Sequence, residues 1–300
     1  MNFKNNQLKL SLALLAVALI WGTTFLGIRI AVETIPPWFV AGIRQLIAAL
    51  ILFVLLLYRR EFRLLSRKEL VPQLVLSTLM LIGANGLTTV AEKHLSSSLA
   101  SLLSSAGPLI IFIGSVGLGM QKFTWRALAG VVLGFCGILL IFWDSLSELA
   151  DPEFLGGIIT MICGIFGWAS GTLYSKKLTA KPQNISLNLF YQFAFAAAVQ
   201  VVLGFITAPD TRLAAWSFRS WLAVIYLGIF GSVVAFFAYH YALKKVTPTQ
   251  ISILSYVNTI IAIFLGWLIL DERITLKFIL AAVMIIMGVV LTNLKKRDNA

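Results

Sequence analysis

The sequence predicts an all-α integral membrane protein of ten transmembrane helices, arranged as two inverted-topology five-helix repeats. Three observations carry that expectation. Of the 300 residues, 59% are apolar and only 12% are charged, far outside the range of a soluble globular chain. The apolar residues fall in successive runs of about 20, the length that crosses a bilayer as a helix. The first run also returns in mid-chain. Trp21-Gly-Thr-Thr-Phe-Leu-Gly-Ile-Arg29 is echoed by Trp168-Ala-Ser-Gly-Thr-Leu-Tyr-Ser-Lys176, with Trp over Trp, small residues over small residues and a cation over a cation.

Taken in order, the runs predict helices at 9–30, 37–58, 70–91, 97–119, 125–143, 155–176, 186–208, 220–243, 248–270 and 276–293. Their short joints carry Pro or helix-capping residues, as at Pro36-Pro37, Ser96-Ser97-Ser98, Asp151-Pro152 and Thr247-Pro248. Lys4 and Lys9 ahead of an apolar stretch imitate a signal peptide. The run from Leu10 to Ile28 is too long for one, however, and no small-x-small cleavage site follows it. Its echo at Trp168 makes it the first span. Cys136 and Cys163 lie inside apolar runs, where they read as small hydrophobes, and no disulfide or metal-ligand spacing is present.

The net charge of +12 raises the question of nucleic acid, but the basic residues sit in the joints, which is how membrane proteins set their orientation. One alternate set of joints and termini holds 17 Lys and Arg (among them Lys4, Arg59, Arg63, Lys122, Lys177, Lys181, Lys244 and Lys295), and the other holds 6. Both termini are therefore expected in the cytoplasm of a multi-pass cell-membrane protein. The fifth joint, with Asp144, Glu148, Asp151 and Glu153 and no cation, is expected outside.

The repeat extends beyond the first span. Ala100-Ser-Leu-Leu-Ser-Ser105 aligns with Ile251-Ser-Ile-Leu-Ser-Tyr256, and Gly137-Ile-Leu-Leu140 with Gly288-Val-Val-Leu291. The copies are expected at 1–148 and 149–300. Five spans per copy is an odd number, so the second copy enters the membrane from the opposite side, and a working site is expected near mid-membrane between the copies.

At this depth the chain resembles the drug/metabolite transporter superfamily, and within it the ten-helix EamA type. The residues that carry the resemblance are WGTTFLGIRIAVETIPPWFVAGIR in the first copy, SSSLASLLSSAGPL in the fourth span and YHYALKKVTPTQISIL…LGWLILDERIT in the second copy. The resemblance implies a secondary transporter and points to export of a small metabolite such as an amino acid, although some relatives import. Two departures stand out. Glu272 matches the acidic residue that the family often has at the end of the ninth span, but the first copy has Gln121-Lys122. Pro108 of the fourth span is answered by Thr259 in the ninth.

Candidate site residues follow from the rule that a polar side chain in hydrocarbon must find a partner or face a water-filled cavity. The fourth span spaces Ser97, Ser101, Ser104, Ser105 and Pro108 along one helical face, and the ninth repeats the pattern with Ser252, Ser255, Tyr256 and Thr259. Tight helix packing explains small residues equally well. Trp21 and Trp168 fall near mid-span, where an indole N–H needs an acceptor. Asn85, in Gly83-Ala-Asn-Gly86, is either an interhelical hydrogen bond or a ligand contact. Arg44 lies about 10 Å into its helix at 1.5 Å per residue. It either ties spans together through carbonyls or attracts a substrate carboxylate. The substrate-contacting set is expected to be Trp21, Thr24, Asn85, Ser101, Ser104, Trp168, Tyr239, Ser255 and Tyr256, with Arg44 and His240 as charge or coupling candidates. Leu52 and Val289 are expected to face lipid.

No paired intramembrane carboxylate, His-Glu-x-x-His, Gly-x-Ser-x-Gly or phosphate-cradling loop argues for an enzyme. The expectation is a carrier working by alternating access, with no cofactor, a small-molecule substrate, a lipid surround and a candidate coupling proton. An importer or a channel-like facilitator is the alternative, and an intramembrane enzyme is a remote third.

Overall fold

The computed structural model describes residues 2–95, 97–143, 151–179, 184–261 and 276–293, and among them the chain is helical throughout, with no strand. In order come α1 (Asn2–Ala31), α2 (Pro37–Tyr58), α3 (Arg67–Leu76) and α4 (Leu87–Ala91), then α5 (Ser97–Ser104), α6 (Gly107–Gly117) and α7 (Trp125–Ile141). There follow α8 (Leu155–Leu178), α9 (Ile185–Thr207), α10 (Phe218–Tyr226), α11 (Ala235–Leu243), α12 (Pro248–Ser252), α13 (254–261) and α14 (Leu276–Asn293). A π-helical segment, Ser77–Gly86, joins α3 to α4 without a break, and a second, Leu227–Val234, joins α10 to α11.

Among the described residues seven continuous helices are long and apolar enough to cross a membrane, and Leu102–Gly117 and Trp125–Ile141 are shorter apolar helices. The joints stop these helices by local chemistry. Pro37 and Pro248 occupy first-turn positions, where a missing N–H costs nothing. Thr124 and Asn184 cap the backbone N–H groups of Ala127 (3.2 Å) and Leu187 (3.0 Å). Thr247 and Gln250 form a reciprocal capping box at 3.2 and 3.0 Å.

Large apolar side chains remain exposed around the bundle, as with Leu12, Leu19 and Leu26 on α1, Phe205 and Ile206 on α9, and Ile286 and Val290 on α14. A continuous apolar exterior of this kind is suited to lipid rather than water.

The pairing of helices exchanges when the two halves are swapped. α2 lies along α9 and α7 along α14, while α1 packs on α10 and α11 as α8 packs on the Ser77–Gly86 segment and α4. Along the α7–α14 seam the backbones nearly touch. A Cβ on Gly288 would stand 2.5 Å from the carbonyl oxygen of Gly130, so neither position tolerates a side chain without separating the helices.

Three expectations change. The fourth span is not one helix over 97–119 but breaks between α5 and α6. There Ser105 and Ala106 donate their backbone N–H to Leu102 (3.1 Å) and Leu103 (3.0 Å) in a tightened turn ahead of Pro108, which lacks the N–H to continue an α-helix. The ninth span breaks likewise at Ile253, between α12 and α13, and its expected continuation over 262–270, with Glu272, lies outside the described residues. Leu52 is buried in the core with Phe193, Phe236 and Met80 rather than facing lipid, and Val289 is half-buried against the α7–α14 cluster. The face of α2 that carries Leu52 is turned inward because α9 covers it.

Candidate functional site

Where the broken helices meet α1, α2, α4 and α8, they enclose a cavity of about 170 Å³. That is close to the roughly 150 Å³ known to take up a benzene-sized guest. Its walls come from both halves of the chain, with Trp21, Thr24, Arg44, Asn85, Thr88 and Ser104 on one side and Trp168, Tyr239, Ser252, Ser255, Asn258 and Thr259 on the other.

One end is aromatic. The rings of Trp21 and Trp168 meet edge-on at 5.1 Å, and Tyr239 lies 5.2 Å from the first and 5.3 Å from the second. Phe236 closes the group at 5.6 Å from Trp21. These are edge and tilted contacts of the sort that aromatic quadrupoles favour. The polar atoms of the cluster are tied down: Trp21 Nε1 donates to the carbonyl of Gly231 (3.3 Å), and the Tyr239 hydroxyl pairs with that of Thr172 (2.7 Å). The indole acceptor expected for Trp21 is thus a backbone carbonyl in the π-helical segment Leu227–Val234.

Polar side chains line much of the rest of the wall. Arg44 is 1% exposed, and its Nε donates to the Ser232 hydroxyl at 3.2 Å. Its Nη1 has no hydrogen-bond partner among the described residues. Gly231 leaves room for this guanidinium, because a Cβ there would lie 3.0 Å from Arg44 Nη2. Asn85 accepts from Gln45 Nε2 through Oδ1 at 3.5 Å, a long bond that holds the amide loosely. Asn258 donates to the carbonyls of Ala18 (3.1 Å) and Leu254 (2.9 Å). The Ser255 hydroxyl is buried without a hydrogen-bond partner among the described residues. Ser104 and Thr24 turn their hydroxyls back onto Ala100 and Trp21 carbonyls, both at 2.8 Å, as serine and threonine in apolar helices do.

The structure therefore brings Trp21, Thr24, Asn85, Ser104, Trp168, Tyr239, Ser255 and Arg44 to one cavity. It does not bring Tyr256 or His240 there. Tyr256 is fully buried on the far side of α13, its ring against Gly134 and its hydroxyl donating to the Val131 carbonyl at 3.2 Å. The lining positions Ile251, Ser252, Leu254, Ser255, Asn258 and Thr259 share one helical face, and Tyr256 falls beside that face, turned onto α7. His240, the residue after Tyr239 and so on a different face of α11, is 9% exposed and lies beside Gln73, Gln192 and Lys244 in a separate small pocket. The side chain of Ser101 lies outside the described residues.

Sequence reasoning passed over Asn258 and Thr88. Asn258 is a strongly polar residue inside an apolar run, and the argument applied to Asn85 would have found it. Arg44's counterpart Gln192 has no part in the cavity; its Nε2 donates to Gln73 Oε1 at 2.8 Å.

The EamA-like transporter family model matches the sequence twice, over residues 8–143 and 155–294. The chain is 32% identical over 287 residues to the uncharacterized inner membrane transporter YedA of Escherichia coli, a match spanning 95% of this chain and 90% of that one. It is 25% identical over 285 residues to the uncharacterized transporter YoaV of Bacillus subtilis, spanning 94% of this chain and 96% of the other. One solved crystal structure has the same fold, with a TM-score of 0.79 at 19% identity, over 96% of this chain and 98% of that chain.

Proposed function

The chain belongs to the EamA-like transporter family, and from that premise we propose that it is a secondary carrier moving a small, partly apolar metabolite such as an amino acid by alternating access. The observation that carries this reading is the cavity walled by both family-matching halves, with an aromatic cluster and polar side chains on one wall. Rocking of one repeat against the other around a fixed central site is the motion such an arrangement permits. The exchange-symmetric packing supports two inverted copies, divided near residue 148, and the cation bias of the joints supports cytoplasmic termini in a cell membrane.

The solute's apolar part would lie against Trp21 and Trp168, and its polar groups would meet Asn85, Ser255 and Arg44. Export is the direction that the resemblance favours. The broken fourth and ninth spans both contribute to the wall, and irregular backbone at membrane depth is tolerated where it lines a cavity.

Reconstitution into liposomes tests the proposal with radiolabelled amino acids. Uptake should saturate with concentration, and unlabelled solute on the far side should accelerate it. Linear, non-saturable flux would replace the carrier with a channel, and a chemically altered product would replace it with an enzyme.

A further inference from the structure

One buried charge takes no part in the cavity as drawn. Glu92 immediately follows the membrane-spanning helix Arg67–Ala91 and is 0% exposed. Its backbone N–H donates to Thr88, a cavity residue, at 2.9 Å, and its carbonyl accepts from Arg29 Nη1 at 2.8 Å. Neither carboxylate oxygen has a hydrogen-bond partner among the described residues. Arg44, on the cavity wall, is similarly short of a partner at Nη1. The two side chains attract one another, yet among the described residues the only ion pair is Arg63–Glu69. Two opposite charges are thus buried close together without touching.

The groups that face Glu92 are few. Arg29 comes from α1 and Arg44 from α2. The Ser77–Gly86 segment and α5 carry no titratable side chain, and on α8 the nearest is the exposed Cys163. Lys93 and His94, its own neighbours, are exposed. Burial holds the Glu92 carboxyl well above the usual carboxylate range, against the lowering pull of Arg29 and Arg44. A buried carboxylate is stable only when paired, so Glu92 has two acceptable states: protonated, or ionised between Arg29 and Arg44.

We propose that Glu92 is the proton-carrying group of transport and shares Arg44 with the substrate. When an anionic group of the solute occupies the guanidinium, Glu92 holds a proton. When the solute leaves, the Glu92 O–H bond breaks, the proton passes to water, and the carboxylate takes the vacated place beside Arg44. One solute anion therefore moves with one proton, and the substrate class is a carboxylate-bearing metabolite. This rests on the carrier reading above.

Infrared difference spectra of the full chain in proteoliposomes, recorded without solute between pH 5 and pH 9, test the charge pair directly. A protonated-carboxyl band should titrate in the parent protein, vanish in Glu92→Gln, and titrate at higher pH in Arg44→Gln. A band unaffected by Glu92→Gln, or a titration indifferent to Arg44→Gln, overturns the proposal. In the flux arm, with an equimolar mixture of radiolabelled amino acids as probe, parent uptake should rise by up to about tenfold per unit of inwardly directed proton gradient (outside acidic), the limit for one titrating group. In Glu92→Gln that response should be flat, and a retained response overturns the proposal. If the parent shows neither uptake nor counterflow of the mixture, the carrier reading fails for this solute class, while the infrared band still decides the charge pair.

Discussion

Asn85 and Tyr256 show how much one side chain's surroundings decide. The Asn85 amide is half-buried on the cavity wall, with only a 3.5 Å bond to Gln45 holding it, so it is free to orient a solute. Replacement by Leu keeps the volume and removes the hydrogen bonds, at about 1–3 kcal/mol for an unsatisfied polar partner. The expected result is a loss of roughly 5- to 150-fold in solute affinity, measured by binding to purified protein, with thermal stability near that of the parent. Tyr256 has the opposite profile. Its ring fills the space against Gly134, and its hydroxyl bonds to Val131. Tyr256→Ala should cost about 3–5 kcal/mol of stability, as aromatic-to-Ala changes in cores do, with affinity unchanged in the protein that still folds. Tyr256→Phe should lose only about 1 kcal/mol, the net worth of one hydrogen bond. Equal stability of Tyr256→Ala and the parent in thermal unfolding would contradict this placement.

Among the helices, the breaks at 105–106 and at 253 and the two π-helical segments, Ser77–Gly86 and Leu227–Val234, occupy corresponding places in the two halves. π-helical turns and broken helices are both departures from the i→i−4 ladder that recur at functional sites. Here each lies on or beside the cavity: Ala84 and Asn85 within the first π segment, Gly231 and Ser232 bonded to Trp21 and Arg44 within the second. Restoring the backbone N–H with Pro108→Ala should let α5 and α6 join. It should slow transport more than it weakens binding, as read by comparing flux with equilibrium affinity. The α7–α14 seam serves a structural purpose instead. Gly288→Leu should force the helices apart against the Gly130 carbonyl. It should destabilise the protein by about 1–3 kcal/mol or more, the usual cost of overpacking.

For the whole molecule, the cation asymmetry gives a topology that can be tested without a substrate. In a background lacking Cys136 and Cys163, a single cysteine at Thr211 should react with an impermeant thiol reagent added to intact cells, and one at Ser66 should react only after the membrane is opened. Ser66 is exposed in the joint between α2 and α3, and Thr211 is half-buried in the one between α9 and α10. The reversed pattern would place the Arg44 side of the cavity on the cytoplasmic side. As drawn, Arg44 stands about 10 Å beyond Pro37, on the same side as the joint at 92–95, while Tyr239 lies towards the joint at 244–247.

The membrane class, the position of nearly every span and the duplication were all legible in the sequence. Each is set by hydropathy summed over about 20 residues and by the spacing of short polar joints, quantities that need no knowledge of neighbours. Most of the polar side chains on the cavity wall were legible too, because a polar group inside an apolar run must face something other than lipid. The rest came from tertiary packing. Leu52 and the lipid-facing leucines are the same residue type on equally apolar helices, so only the presence of α9 decides that Leu52 is inside. Tyr256 adjoins the lining residue Ser255 in sequence but lies beside the cavity-facing side of its helix, and the packing of α7 takes up its ring. Glu92 reads as one more charge in the hydrophilic joint Glu92-Lys93-His94, yet the packing of α4 against α2 and α8 seals it from water while its two neighbours stay exposed. Hydropathy reports which solvent a segment prefers. Which face meets the cavity, and which charge is shut in with Arg44, depends on the helices packed around it, and that only the folded bundle decides.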